Sequence, residues 1–212
     1  MKTLDELALL HKTDKASDGH NYAVTYDKYL TPLRQEQIVL LEVGIGGYGF
    51  IDRGGESMKM WHDYFPQALI AGVDLHEKHK PDLARIHYFR GSQDDAGFLN
   101  VVISQIGRPT VIVDDGSHVN PLTIQTFEIL FHHLLPGGFY IVEDVHTSYW
   151  EKEYLGNSDP REGDTIMAYL QQLTHQLNDK TLQRRYRNVF AGQLEFVHFY
   201  PEMVIIKKSL TA

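Results

Sequence analysis

Two short runs of this sequence end on pairs of acids. In VIVDDGSHVN (residues 111–120), three β-branched residues lead into Asp114 and Asp115, and His118 follows three residues after Asp115. In YIVEDVHTSYW (140–150), an apolar run leads into Glu143 and Asp144. Unpaired, such carboxylates repel one another and their pKa values rise. No Lys or Arg lies near either pair in sequence, so a hard divalent cation is the expected remedy. An all-oxygen set of Asp115, Glu143 and Asp144, with no cysteine in the chain, points to Mg2+, with Mn2+ or Ca2+ as alternatives. The competing reading has one acid capping a helix and the others paired with distant basic residues. His118 stands at i+3 from Asp115. If a helix opens near Gly116, both side chains point the same way, which sets an imidazole beside the cation rather than on it. The chemistry this suits is removal of a proton from a hydroxyl group. A cation lowers the pKa of a bound oxygen, and a nearby His takes the proton. Strand alternation turns Asp114 to the other side, toward a cofactor.

A glycine-rich turn supplies the second constellation. In LLEVGIGGYGF (40–50), Gly44, Gly46 and Gly49 match G-x-G-x-x-G, which taken literally suggests a dinucleotide. A pyrophosphate needs a helix to open at once. Here YGFIDRGGES intervenes and delays the next helix to near Glu56. A long loop suits a cofactor without a pyrophosphate. Glu42, two residues before Gly44, would repel a pyrophosphate but complements the sulfonium and ammonium charges of S-adenosylmethionine. Asp74 ends the second strand, where an acid can accept ribose hydroxyls from either cofactor. Ser92 and Gln93 end the third strand, where an adenine edge would lie; a helix N-cap is their alternative role. Ser57, at the opening of the delayed helix, completes the cofactor set of Glu42, Gly44, Gly46, Asp74, Ser92, Gln93 and Asp114. A purely structural turn is the competing reading.

The elements that must position these residues follow from the apolar pattern. Strands are expected at 38–45, 69–75, 86–91, 110–115, 138–145, 194–200 and 203–208. Helices are expected at 55–65, 94–106, 121–135 and 163–179. Strands alternating with helices predict βαβ units and a parallel sheet. The last two strands, joined at Pro201 and Glu202, predict an antiparallel hairpin. The result is an α/β fold: a doubly wound, Rossmann-like, mostly parallel seven-stranded sheet with a C-terminal hairpin, the shape of class I methyltransferases. Ligands bind outside the carboxyl ends of such strands. Asp115 and Glu143 end neighbouring strands about 4.8 Å apart and can converge. Residues 1–35 read as an N-terminal extension, packed on the surface or closing as a lid, and 36–212 as the methyltransferase domain. His146, Tyr149 and Trp150 beyond the second acid pair, with Tyr22 from the N-terminal stretch, are candidates for the acceptor side. Sugars stack on such rings, although a packed loop is the alternative for 147–150. Residues 146–165 and the N-terminal segment are expected to set acceptor choice. Trp61 reads as core, and His132 and His133 as helix-end residues.

Composition narrows the class. A chain of 212 residues suits one α/β domain. Absence of cysteine excludes disulfides and thiolate metal sites. The N-terminus lacks the apolar core of a signal peptide, and no apolar run reaches the roughly 20 residues of a membrane helix. A cytoplasmic protein with no membrane partner is expected. A net charge of −8 argues against a nucleic-acid backbone as partner. The only basic cluster, LQRRYR (182–187), reads as a solvated face.

The runs LLEVGIGGYG, GGESMKMWHDYFP, VIVDDGSH and PGGFYIVEDVHTSYW, in that order, resemble the metal-dependent sugar O-methyltransferases of macrolide biosynthesis. They are also similar to the methyltransferase of mycobacterial methylmannose polysaccharide synthesis. The match covers roughly residues 38–150, with a weaker echo in the N-terminal Tyr/His stretch. The resemblance implies S-adenosylmethionine, Mg2+, a small-molecule or oligosaccharide acceptor, and a homodimer or higher homo-oligomer. It places the metal ligands on Asp115, Glu143 and Asp144 and the catalytic base on His118. The longer macrolide enzymes carry an extra N-terminal domain that this sequence does not show, and in the family that region helps shape substrate choice and assembly. Three competitors stand beside a sugar O-methyltransferase: a phenol or catechol O-methyltransferase, a nicotinamide oxidoreductase, and a non-catalytic binding module on the same fold.

Overall fold

The computed structural model describes residues 1–79, 83–159 and 163–211. Seven strands form one sheet in the order β3-β2-β1-β4-β5-β7-β6. They are β1 (Val39–Val43), β2 (Leu69–Asp74), β3 (Ile86–Arg90), β4 (Val111–Asp114), β5 (Phe139–Val142), β6 (Leu194–Tyr200) and β7 (Met203–Lys208). The first five pair in parallel, and β7 runs antiparallel to both β5 and β6. This is the doubly wound sheet with a terminal hairpin that the alternation of apolar runs predicts. Its strand order reverses between β1 and β4, which places a crevice at the carboxyl ends of those two parallel neighbours.

The two faces of the sheet carry separate cores. On one side lie α1 (Leu4–His11), α2 (Tyr22–Leu30) and α3 (Glu56–Tyr64); on the other lie α4 (Ala96–Ile106), α5 (Asn120–His133) and α7 (Ile166–Leu173). The short α6 (Glu151–Tyr154) follows a 3-10 turn over Val145–Tyr149. The strands read as continuous apolar runs because both faces are covered. Helix starts are set locally: Thr3 and Glu6 form a capping box for α1, and Asp95 caps α4 by accepting from the Phe98 N–H at 3.0 Å. Ser92 and Gln93 therefore do not cap that helix.

Residues 1–35 are built into the first core. Leu4, Leu7 and Leu30 are buried there with Tyr22 and Tyr26, beside Trp61 of α3. Burial of each leucine stabilises the fold by about 1.5–3 kcal/mol, enough to hold the segment against the sheet. The expected helix over 163–179 is shorter in the structure. It ends at Leu173 and continues as a 3-10 turn over Thr174–Asn178. Residues 160–162, inside the stretch expected to shape acceptor choice, lie outside the described residues. Among the described residues no helix is long and apolar enough to cross a membrane.

Candidate active site

Side-chain alternation decides which acids meet. In β1, Leu40 packs on the α1–α3 side and Leu41 on the other; in β4 the same holds for Val113 and Ile112, and in β5 for Ile141 and Tyr140. The register pairs Glu42 with Val113, Val43 with Asp114, and Asp114 with Val142. Two-residue periodicity then places Glu42, Asp115 and Glu143 on the α1–α3 face at the ends of three adjacent strands. Asp114 goes to the opposite face, as alternation predicts. It does not reach a cofactor cleft there. It is buried against the second core, where the Tyr140 hydroxyl donates to it at 2.9 Å. Its expected cofactor role is corrected accordingly. Burial, reinforced by the Asp115 charge, pushes its carboxyl up to about 7.

The carboxylates on the α1–α3 face meet a cation from the chain itself. Lys15 is 1% exposed, and its Nζ lies 2.6 Å from Asp115 Oδ2, 2.6 Å from Glu143 Oε2 and 3.6 Å from Glu42 Oε1. The Tyr26 hydroxyl donates to the other Glu143 oxygen. The sequence favoured a divalent ion for the neutralisation of this cluster and held pairing with distant basic residues as the competing reading; Lys15, 100 residues from Asp115 along the chain, makes that pairing. Burial works against the ammonium, yet the three carboxylates hold its pKa well above the usual lysine value. Burial also raises Glu143 well above the ordinary carboxylate range and Glu42 to about 7, while Lys15 opposes both shifts.

A second layer faces the cleft. His118 Nε2 lies 3.7 Å from Asp115 Oδ1 and 3.5 Å from Asp144 Oδ2. No helix opens at Gly116, the condition under which the i+3 spacing would make this contact; α5 begins at Asn120, close to the expected start at 121. A left-handed backbone makes the contact instead: φ is +56° at His118 and +53° at Asp144. Non-glycine residues in that region are uncommon, and strain of this kind concentrates at functional sites. Tyr22 donates to Asp144 Oδ1 at 2.5 Å. Asp115, His118 and Asp144 each offer a ligand atom within 4.8 Å of the others. The two carboxylates are donors that suit Mg2+ or Mn2+, and the imidazole stands beside them. Glu143 sits behind this trio, with its two oxygens engaged by Lys15 and Tyr26. Of the three expected metal ligands, two thus converge on the cleft and the third faces inward.

The cleft has a volume of about 590 Å3 and runs from the glycine turn past Asp74 and Gln93 to Asp115, His118 and Trp150. That size lies in the usual range for small-molecule sites. Gly44 and Gly46 line it, and so do Asp74, Ser92 and Gln93. A Cβ on Gly44, whose φ is +79°, would stand 1.9 Å from the Asp115 carbonyl oxygen, so the turn closes directly on the end of β4. Asp74 accepts backbone N–H bonds from Ile45 at 3.2 Å and His76 at 2.8 Å, which fixes its carboxylate beside that turn. Gln93 accepts from the Ser117 N–H at 2.7 Å and donates to Thr126 at 2.9 Å, bracing the loop that carries His118. Glu42 and Ser57 are buried below the turn and hydrogen-bonded to each other at 2.8 Å; they do not line the cleft.

On the acceptor side, His146 and Trp150 line the cleft and meet edge to face with centroids 5.0 Å apart. Trp150 packs in turn on Tyr154 at 5.4 Å. Tyr149 is not part of the lining. Sequence reasoning missed Lys15, His20, Tyr26 and Tyr154. His20 stacks on Tyr22 and reaches the cleft wall. Each belongs to a segment with no strand ending of its own to flag it.

No family model matches the sequence. The chain is 40% identical, over 97% of its length, to the 8-demethyl-8-(2-methoxy-α-L-rhamnosyl)-tetracenomycin-C 3′-O-methyltransferase of Streptomyces olivaceus, and covers 54% of that protein. It is 36% identical to the mycinamicin VI 2″-O-methyltransferase of Micromonospora griseorubida, over 97% of this chain and 52% of the relative. Among solved structures, the MycE methyltransferase of the mycinamycin pathway, in complex with Mg, SAH and mycinamycin VI, superposes with a TM-score of 0.93. The two are 32% identical, over 98% of this chain and 54% of that one. The chain thus spans about half the length of the curated relatives it matches. By sequence and by fold, it is similar over nearly its whole length to these O-methyltransferases, which act in the pathways of the family its motifs resemble.

Proposed function

We propose that the protein transfers a methyl group from S-adenosylmethionine to a hydroxyl of a sugar or glycoside, with Mg2+ as its resident ion. The observation that carries this reading is the placement of His118 Nε2 within 3.7 Å of Asp115 and 3.5 Å of Asp144, in the same cleft that the glycine turn lines. Relatives named as O-methyltransferases of a rhamnosyl tetracenomycin and of mycinamicin VI, and a similar structure that holds Mg, SAH and mycinamycin VI, support it.

Asp115 and Asp144 would hold the ion, with Mn2+ a workable replacement. Bound there, the ion supplies Lewis acidity that lowers the pKa of the acceptor hydroxyl. His118 takes the hydroxyl proton at Nε2. The acceptor oxygen then attacks the methyl carbon in line, and the carbon–sulfur bond breaks to leave S-adenosylhomocysteine. Most of the rate comes from positioning the two reactants. Gly44, Gly46, Asp74, Ser92 and Gln93 form the cofactor side. His146 and Trp150 form the acceptor side, where aromatic rings suit a sugar. Residues from 36 onward constitute the methyltransferase domain, and the active species is a homo-oligomer.

The test is calorimetry with S-adenosylhomocysteine and with NAD+, each with and without Mg2+, followed by methyl transfer to a panel of glycosides and catechols. Binding of S-adenosylhomocysteine but not NAD+, and methylation of a glycoside, support the reading. Binding of NAD+ alone, or methylation of catechols only, overturns it.

A further inference from the structure

Four groups on the α1–α3 face form a closed charge array. Glu42, Asp115 and Glu143 come from three adjacent strands, and Lys15 comes from the turn between α1 and α2. Lys15 is held from behind: its carbonyl accepts from the Ala23 N–H at 2.9 Å, and Tyr22 and Tyr26 of the same helix bond to Asp144 and Glu143. The ammonium takes one oxygen from each of Asp115 and Glu143. The other Asp115 oxygen is left facing His118 in the cleft. A flexible lysine on the surface could not do this, since an exposed pair pays side-chain entropy and is screened. Here the ammonium is buried and its partners are fixed by strand register.

We propose that Lys15 is a positioning residue, the built-in counter-ion that keeps Asp115 and Glu143 assembled without a divalent metal and points Asp115 Oδ1 at His118. The acid cluster then has two halves: an inner half neutralised by Lys15, and an outer half of Asp115, His118 and Asp144 open to the cleft. A metal entering the outer half works against a fixed positive charge at its back. Lys15 therefore holds metal affinity down while it holds the geometry in place. This rests on reading the outer half as the metal side of the site.

The test compares Lys15→Met with the charge-balanced double variant Lys15→Met/Glu143→Gln, using Mn2+ alone as probe. In chelator, Lys15→Met leaves buried carboxylates without a partner, and its Tm should fall by about 6–15 °C. The double variant removes charge from both sides and should recover at least half of that loss. In Mn2+ titrations followed by electron paramagnetic resonance, Lys15→Met should bind about tenfold more tightly than wild type, because a repelling charge is gone. A single variant with wild-type Tm and wild-type Mn2+ affinity overturns the proposal. So does a double variant that is no more stable than the single one, since packing rather than charge would then be the role of Lys15. If neither wild type nor variant binds Mn2+, the metal reading fails on its own, and the stability comparison alone decides the role of Lys15.

Discussion

Nε2 of His118 lies 3.5 Å from Oδ2 of Asp144, and both residues hold a left-handed backbone. The two strands that carry them end side by side, so each chain must turn sharply to bring its side chain back over the strand ends. The cost of those two conformations, of order 1–3 kcal/mol each, is sustained by the surrounding packing. What it secures is an imidazole fixed above two carboxylates. A general base in that position contributes about 10²–10⁴-fold to turnover. His118→Ala should lose activity by that factor while S-adenosylhomocysteine binding by calorimetry stays within about threefold, since a general base acts on the transition state rather than on cofactor binding. A variant that turns over at the wild-type rate would remove His118 from the mechanism.

The two glycines at the mouth of β1 separate strain from contact. Gly44 and Gly46 both have positive φ, +79° and +74°. A Cβ on Gly44 would stand 1.9 Å from the Asp115 carbonyl, whereas on Gly46 it would meet only the Gly54 Cα at 3.9 Å. Gly46→Ala should cost about 1–2 kcal/mol, the ordinary penalty of a left-handed L-residue. Gly44→Ala must also push the end of β4 away, so its loss should be larger and should be accompanied by weaker metal binding. Denaturant midpoints and Mn2+ titration of the two variants check this; equal stability losses with metal binding intact would count against the contact.

Much of this arrangement was legible in the sequence, for a definite reason. Strand endings in α/β sheets mark the ligand crevice, so acids that stop apolar runs announce themselves. Asp115, Glu143 and Asp144 did so, and alternation correctly sent Asp114 to the opposite face. What alternation could not supply was what waits there: a Tyr140 hydroxyl and an apolar core instead of a cofactor. Lys15 was illegible because its contacts span 100 residues to Asp115 and 128 to Glu143, and its own neighbours show no apolar period. The contact between His118 and the acids was anticipated for the wrong local reason. A helix at Gly116 would have made it by spacing; a left-handed turn makes it by bending, and the raised tendency of His toward that region is too weak a signal to place the turn in GSHV.

Trp150 lines the cleft while remaining 48% exposed, which is how a ring awaiting a partner differs from a core ring. An aromatic contact of this kind is worth about 0.5–1.5 kcal/mol, or roughly two- to tenfold in binding. Trp150→Ala should therefore raise the KM for a glycoside acceptor by that factor, with kcat and S-adenosylhomocysteine affinity little changed. A loss confined to kcat would place Trp150 in loop positioning rather than acceptor binding.

Asp114 gives the fold a pH signature that can be measured by difference. Burial pushes its carboxyl from an ordinary value of 3.8 up to about 7 in the folded protein. Between those values the folded state binds a proton that the unfolded state has released. Stability from this group therefore falls as pH rises from about 4 to about 7, is unpenalised below that window, and carries a constant penalty above it. Asp114→Asn keeps an acceptor for the Tyr140 hydroxyl but cannot ionise. Its Tm relative to wild type should rise steadily from pH 4.5 to pH 7.5 and then level off. Glu42 and Glu143 are also raised, and because they remain in both proteins their contribution cancels in the difference. Thermal scans of the two proteins across that range test the assignment. A gap that stays constant with pH would mean that Asp114 is ionised throughout, and that the penalty of its burial is met by the hydrogen bonds from the Tyr140 hydroxyl and the Gly116 backbone.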